Sequence, residues 1–172
     1  EEPGDFDLLS QKSDLGITAS LGGQLYHGDY PNPLWRPTGE ISFSHELTND
    51  LGIALNFGRG QLAGRNYFDA TVNYAGFDFN YKPFTANILS PYFILGSGLL
   101  VQDDGYFELR EQWFPFVNIG AGIEYKINNN FSLDFVFSQK YSLNDNLDGL
   151  EQGKLQDYSL NGQAGLKYYI NF

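Results

Sequence analysis

The sequence predicts an all-β fold, namely an eight-stranded antiparallel up-and-down transmembrane β-barrel with short periplasmic turns and longer extracellular loops. Three observations lead to this fold class. Apolar residues recur at every second position in eight segments, which is the period of a strand because successive side chains point to opposite faces. The connections between the segments are mostly alternately short and long, as expected for a series of hairpins. No segment of useful length has the apolar period of an amphipathic helix.

Seven of the eight strands alternate without a change of phase. In the first strand, one face carries Ile17, Ala19, Leu21, Gly23 and Leu25. Six further strands are predicted over 38–47, 51–60, 91–102, 113–126, 131–143 and 157–172. Short connections with turn chemistry follow at 48–50 and 127–130, long ones at 28–37, 102–112 and 144–156, and intermediate ones at 60–66 and 83–90.

The remaining strand, near 67–82, changes phase. Its first half has apolar residues at even positions, from Phe68 to Tyr74, whereas its second half has them at odd positions, from Phe77 to Tyr81. A strand can change phase only through an extra residue. The sequence therefore predicts a β-bulge at Ala75-Gly76.

The direction of the apolar face decides between a membrane barrel and a soluble lipocalin-like barrel or sandwich. The opposite face is built from Gly, Ser, Thr, Asn and Gln with charges of both signs, which suits a narrow lumen better than a soluble exterior. Aromatic residues lie near the strand ends, where outer-membrane barrels carry interfacial girdles. They are Tyr67, Tyr81, Tyr92, Trp113, Tyr125, Phe131, Tyr141, Tyr158 and Tyr168. The apolar face is therefore predicted to face lipid, in the bacterial outer membrane.

The composition of the chain excludes several classes of partner and of chemical site. The chain has 172 residues and a formal net charge of -11, from 21 Asp and Glu against 10 Lys and Arg. Nucleic acid is an unsuitable partner, because phosphates are neutralised by clustered cationic side chains. The chain has no Cys, which excludes disulfides, thiolate metal sites and thiol nucleophiles.

The lumen of an eight-stranded barrel is just wide enough for its own side chains, so the inward residues must fill it and satisfy one another. The phase of the strands points carboxylates and ammonium groups inward in comparable number. A predicted lumen charge network comprises Glu40, Glu124, Lys126, Asp134, Lys140 and Lys167. Because an unpaired buried charge is costly, Lys140 or Lys167 is expected to balance Asp134, Glu124 or Glu40 and to close the lumen.

The sequence contains two candidate sites for chemistry, and neither predicts a catalytic, cofactor-binding or metal residue. His27 is expected near Ser159 and Asp157 at the outer rim, with Asp29 beside it, which is the residue set of a rim-site lipid hydrolase. Ser159 is predicted to face the lumen, however, and no oxyanion hole is evident. The segment 144–149 begins like a Ca²⁺ loop but has Leu155 where the bidentate Glu should stand.

The remaining predictions concern the ends and the exposed surfaces. Residues 1–14 are predicted to be a periplasmic tail and residues 15–172 the barrel domain. The chain ends on Phe172 with Tyr168 and Ile170 in phase before it, which resembles the carboxy-terminal signature of outer-membrane proteins. This resemblance implies that Phe172 is an assembly signal. A possible partner surface on the long loops comprises Tyr30, Trp35, Asp103, Asp104 and Arg110.

The span from Leu15 to Phe172 resembles the OmpA/OmpX-like class of small outer-membrane barrels. More narrowly, three segments are similar to PorG-like barrels of Bacteroidota, which accompany the type IX secretion system. They are Gly22 to Asp29, Ser90-Pro91-Tyr92 followed by Gly96, and Tyr141 to Asp148. Related barrels of that phylum also occur alone or beside curli-type exporters, and the segments do not separate these cases.

The resemblance implies a non-enzymatic role as a membrane-embedded scaffold or accessory subunit of a cell-envelope complex for secretion or assembly. Its partners would be outer-membrane lipid and envelope proteins, without a cofactor. A stand-alone structural barrel or small passive pore is the alternative, and a rim-site lipid-modifying enzyme is the third possibility.

Overall fold

The computed structural model describes residues 15–28, 32–64, 68–84, 88–103, 113–143 and 157–170. These residues form eight strands: β1 (Leu15–His27), β2 (Trp35–Glu46), β3 (Leu51–Gly64), β4 (Phe68–Tyr81), β5 (Leu89–Asp103), β6 (Trp113–Lys126), β7 (Phe131–Ser142) and β8 (Tyr158–Ile170). None of the described residues belongs to a helix long and apolar enough to cross a membrane. The predicted all-β class is confirmed.

Each strand pairs antiparallel with its neighbour in sequence, and β1 also pairs with β8, which closes the barrel. Closure leaves no strand edge with unpaired backbone groups, and this is the condition for a sheet to stand in lipid. One end, called the turn end, carries the connections 47–50, 82–88 and 127–130. The other, called the loop end, carries 28–34, 65–67, 104–112 and 143–157. The connection predicted at 60–66 is shorter than expected, because β3 extends through most of it.

The outer wall is apolar. Large hydrophobic side chains such as Leu21, Phe93 and Phe137 are more than half exposed on it, while their neighbours in sequence point inward. Outward aromatic residues cluster towards both ends: Tyr81, Tyr125, Phe131 and Tyr168 at the turn end, and Trp35, Trp113, Tyr141 and Tyr158 at the loop end. This is the apolar band with aromatic girdles that transmembrane barrels present to lipid.

The predicted bulge at Ala75-Gly76 is wrong. The pairing of β4 with β3 runs without a break through Phe57–Ala75 and Asn56–Gly76, and its pairing with β5 is equally regular. Even-numbered residues of β4 face inward from Ala70 to Asn80. The apolar pattern changes phase because the inward residues Val72 and Tyr74, near the loop end, belong to a buried apolar cluster, not because the strand gains a residue.

Tyr92 is also misassigned by the sequence pattern, because it points into the barrel and is buried. Two inward tyrosines fit because a glycine lies directly across the ladder from each. Gly122 pairs with Tyr92, and Gly58 pairs with Tyr74. A Cβ atom on Gly58 would lie 2.1 Å from Cζ of Tyr74. Each large inward side chain thus lies opposite a residue that has no side chain.

Candidate functional site in the barrel interior

Four charged side chains form a turn-end network inside the barrel, namely Glu46, Lys82, Glu124 and Lys167. The ammonium group of Lys82 lies 2.6 Å from Oε1 of Glu46 and 3.1 Å from Oε2 of Glu124. The Lys167 ammonium lies 3.5 Å and 3.6 Å from the same two oxygens. Two cations and two anions therefore alternate around one centre, with no surplus of either sign.

The turn-end network is buried, so its internal balance matters energetically. The Glu124 side chain is 2% exposed and the Lys167 side chain 7% exposed. Tyr169 donates its hydroxyl hydrogen bond to Oε1 of Glu124, and the Lys167 ammonium lies 4.6 Å from the centre of the Tyr169 ring. Desolvated charges are tolerated only when paired and hydrogen-bonded in this way.

A second polar layer lies nearer the middle of the barrel. Tyr74 donates a 2.8 Å hydrogen bond to Oε2 of Glu40, and Lys140 lies over the Tyr74 ring at 4.3 Å from its centre. Within the described ranges, Lys140 has no ion pair, although Glu40 and Asp78 both act on it electrostatically. In this layer the Lys140 ammonium group is therefore stabilised by the face of the Tyr74 ring and by the negative charges of two nearby carboxylates.

Hydrogen-bond donors without charge hold two further carboxylates of the interior, Asp78 and Asp134. Asp78 accepts hydrogen bonds from the side-chain amides of Asn56, at 2.6 Å, and Asn118, at 3.1 Å. Asp134 accepts a 2.7 Å hydrogen bond from the Tyr92 hydroxyl. These donors come from β3, β6 and β5, so the carboxylates also tie separate strands together across the lumen.

Part of the interior of the loop end is apolar. A buried cluster, here called the loop-end cluster, comprises Tyr26, Leu62, Val72, Tyr74, Leu100, Phe114 and Phe116. Tyr26 also donates a hydrogen bond to Asp157, which is 1% exposed. Side chains from five strands form the cluster, and buried polar side chains of the other three strands, such as Thr38, Ser142 and Ser159, lie at the same end.

A cavity of about 70 Å³ remains inside the barrel, between the polar layers, with Asn118, Asn161 and Lys140 among its lining residues. A buried water needs about 10–15 Å³ measured in this way. The space can hold a few water molecules, but it is far too small for a channel that solutes could cross.

The structure brings together some of the residues of the predicted lumen network and separates others. Glu124 and Lys167 meet in the turn-end network, and Asp134 lies beside it as the ladder partner of Glu124, whereas Glu40 and Lys140 lie nearer the middle of the barrel. Lys126 does not lie among them, because it is the last residue of β6 and its side chain is exposed at the turn end.

Two members of the turn-end network, Glu46 and Lys82, were missed by sequence reasoning. Both stand at strand ends, where the sequence pattern resembles that of a solvated turn. The alternation of the strands could have identified them, because Glu46 is in phase with the inward residues of β2 and Lys82 is in phase with those of β4.

The residues considered for rim chemistry are on opposite sides of the barrel wall. His27 stacks on Tyr158 outside the barrel, with ring centroids 5.0 Å apart. Ser159 is buried inside the barrel, as its predicted phase requires, and Asp157 accepts a hydrogen bond from the Tyr26 hydroxyl. This arrangement does not form a Ser-His-Asp site among the described residues, and Asp29 lies outside them.

No group of three His, Asp or Glu side chains in the described part of the chain is placed to hold a metal ion. The Ca²⁺-like segment 144–149 lies outside that part. So do the tail 1–14, Tyr30, Asp104, Arg110 and Phe172, and Asp103 is described only as the last residue of β5. Trp35 begins β2 and lies against Gly23 on the outer wall, with a side chain 57% exposed.

No protein-family model matches the chain, and no curated protein matches it by sequence. Solved structures do match. Neisserial surface protein A is 17% identical, with a TM-score of 0.65 over 90% of this chain and 96% of that one. The N-terminal β-barrel domain of Pseudomonas aeruginosa OprF is 20% identical, with a TM-score of 0.62 over 92% and 98%. Ail, the attachment invasion locus protein of Yersinia pestis, is 14% identical, with a TM-score of 0.59 over 93% and 100%.

These likenesses extend over nearly the whole of each chain and show the fold. The chain has the closed eight-stranded barrel fold of these bacterial outer-membrane proteins, and its apolar wall with aromatic girdles suits the lipid of an outer membrane. The predicted fold class is thereby confirmed.

Proposed function

We propose that this barrel is a non-conducting membrane scaffold, an accessory subunit of a cell-envelope complex. One observation carries the proposal: the interior is filled at both levels, by the turn-end network and by the loop-end cluster. A barrel whose interior is closed to solutes must act through its outer surfaces, namely the lipid-facing wall, the turns and the loops.

The same observation weakens the alternative of a passive pore. A pore needs a continuous wet path, whereas the loop-end cluster is apolar and closely packed and the central cavity is small. Lipid modification at the rim is also weakened, because His27 and Ser159 lie on opposite sides of the wall.

The resemblance of three segments to PorG-like barrels makes a secretion complex of the type IX kind the first partner to test. Two of these segments include strand residues near the loop end, Gly22 to His27 in β1 and Tyr141-Ser142 in β7. The proposal is therefore that the chain anchors or positions secretion components at the outer membrane.

Affinity purification of the native protein from its own membranes in mild detergent tests this proposal. A scaffold should retain envelope proteins in a fixed ratio, and the ratio should survive a wash at high salt. A protein that elutes alone under these conditions, after chemical cross-linking in the intact cell as well, would contradict the scaffold and leave a stand-alone barrel.

Planar-bilayer recording tests the closed interior separately. We expect no steady conductance from the refolded wild-type barrel, since the loop-end cluster leaves no wet path. A large and stable conductance would overturn the non-conducting part of the proposal and favour the pore, whatever the purification shows.

A further inference from the structure

The polar layers of the barrel interior carry more negative than positive charge. Counted over the described residues, these layers contain five carboxylates and three ammonium groups, namely Glu40, Glu46, Asp78, Glu124 and Asp134 against Lys82, Lys140 and Lys167. The turn-end network uses two of each sign and is neutral. Lys140 then remains for the other three carboxylates, and two negative charges are in surplus.

Hydrogen bonds alone do not balance this surplus. The amides of Asn56 and Asn118 donate to Asp78, and the Tyr92 hydroxyl donates to Asp134, but these donors are neutral. A charge that has been removed from water is costly unless an opposite charge accompanies it. The interior therefore favours the uptake of positive charge, as a proton or as a cation.

Two amide oxygens in the wall of the central cavity have no hydrogen-bond donor within the described ranges. They are Oδ1 of Asn118, a residue that is 4% exposed, and Oδ1 of Asn161, which is 1% exposed. The nitrogen of each amide is already used, because Asn118 donates to Asp78 and Asn161 donates to Ser159. The free atoms that these amides offer to an occupant are therefore acceptors, as a cation requires.

The size and the ligands of the cavity indicate which cation fits. Its volume of about 70 Å³ exceeds the 10–15 Å³ that one water occupies, so it has room for an ion with some of its hydration shell, which a proton does not need. Amide, carboxylate and water oxygens are ligands of hard cations. No three acidic side chains in the described part of the chain converge as a divalent metal site. A monovalent alkali cation matches both observations.

We infer that the central cavity binds one partly hydrated monovalent cation, Na⁺ or K⁺, through the amide oxygens of Asn118 and Asn161, with Glu40 supplying the nearby negative charge. Glu40 lines the cavity and uses Oε2 for the Tyr74 hydroxyl. This site is independent of the scaffold role, because it uses the interior of the barrel and no protein partner.

Urea unfolding of the barrel in an uncharged detergent measures the binding, with NaCl replaced stepwise by choline chloride at constant total chloride. The methyl groups of choline shield its charge, so amide oxygens cannot coordinate it. A ligand that binds only the folded state stabilises it according to its concentration. A tenfold rise in NaCl should therefore increase the folding equilibrium constant severalfold, and at most tenfold for a single site.

Two variants remove the inferred ligands. Asn161→Leu replaces the amide by an apolar side chain of similar size, and Glu40→Gln removes the charge but keeps the shape. The dependence on NaCl should disappear in the first variant and weaken in the second. Asn129→Leu makes the same change as the first at an exposed turn residue and should keep the dependence of the wild type. A change of gel mobility on heating verifies that each variant is folded.

The line width of the ²³Na magnetic resonance signal detects the ion directly. The wild-type barrel should broaden this signal more than Asn161→Leu does at the same protein concentration. Equal stability of the wild type in NaCl and in choline chloride would mean that water or a proton meets these oxygens, and would overturn the inference. An unchanged dependence on NaCl in both folded variants would also overturn it.

Discussion

The two halves of the barrel interior are filled by different kinds of side chain. At the turn end, Lys82 and Lys167 neutralise Glu46 and Glu124 through four contacts of 2.6 to 3.6 Å. At the loop end, apolar side chains such as Leu62 and Phe116 pack together, and the buried Asp157 accepts a hydrogen bond from Tyr26 of the same cluster. One half is held by directional electrostatics and the other by close packing.

This difference has consequences for tolerance to mutation. Removing one partner from the ion network leaves an uncompensated buried charge, which costs more than the pair contributed. Removing a side chain from the apolar half leaves a cavity whose cost depends on how far its neighbours relax. The halves can therefore be told apart by substitutions of similar size.

The largest effect is expected for Lys82→Met. This substitution keeps most of the side-chain volume but removes the ammonium group that lies closest to both carboxylates. We expect a loss of about 3–5 kcal/mol in the free energy of unfolding, measured by urea titration in lipid vesicles. The control Lys126→Met, at the same end but exposed, should change it by less than about 0.5 kcal/mol. Equal losses in the two variants would show that the ion network does not stabilise the barrel.

A somewhat smaller effect is expected for Leu62→Ala in the loop-end cluster. Leu62 is 2% exposed, and truncation of a buried leucine costs about 2–5 kcal/mol. Leu21→Ala, on the lipid-facing wall, is the control and should cost much less, because lipid can fill the space. If both variants unfold at the same urea concentration, the loop-end cluster is not closely packed.

The smallest effect of the three is expected for Lys140→Met. Lys140 contacts the Tyr74 ring, a type of interaction that contributes about 1–2 kcal/mol, and the adjoining cavity lets water hydrate Glu40 and Asp78 once the ammonium group is gone. Unfolding of this variant beside Lys82→Met compares the middle layer with the turn-end network. A loss as large as that of Lys82→Met would mean that Lys140 is the sole compensation for those carboxylates.

The number of strands, their order and the outward direction of the apolar face were all predictable from local pattern. A period of two is a property of each strand alone, and a closed barrel is the arrangement in which eight such strands leave no open edge. The error at Ala75-Gly76 came from the assumption that every inward residue is polar. Val72 and Tyr74 are inward and apolar, which the alternation of β4 cannot distinguish from an extra residue.

In most strands the sequence by itself indicated which face points inward, because that depends on parity along the strand, whereas in β4 the inward apolar residues Val72 and Tyr74 concealed it. The tertiary structure decided which of the inward residues meet. Lys82, Glu124 and Lys167 come from the end of β4, from β6 and from β8, and only the register of the closed barrel brings their charges to one level. The same register pairs Gly58 with Tyr74 and Gly122 with Tyr92. Contacts across a lumen join residues far apart in sequence, so their partners follow from closure and not from any local pattern.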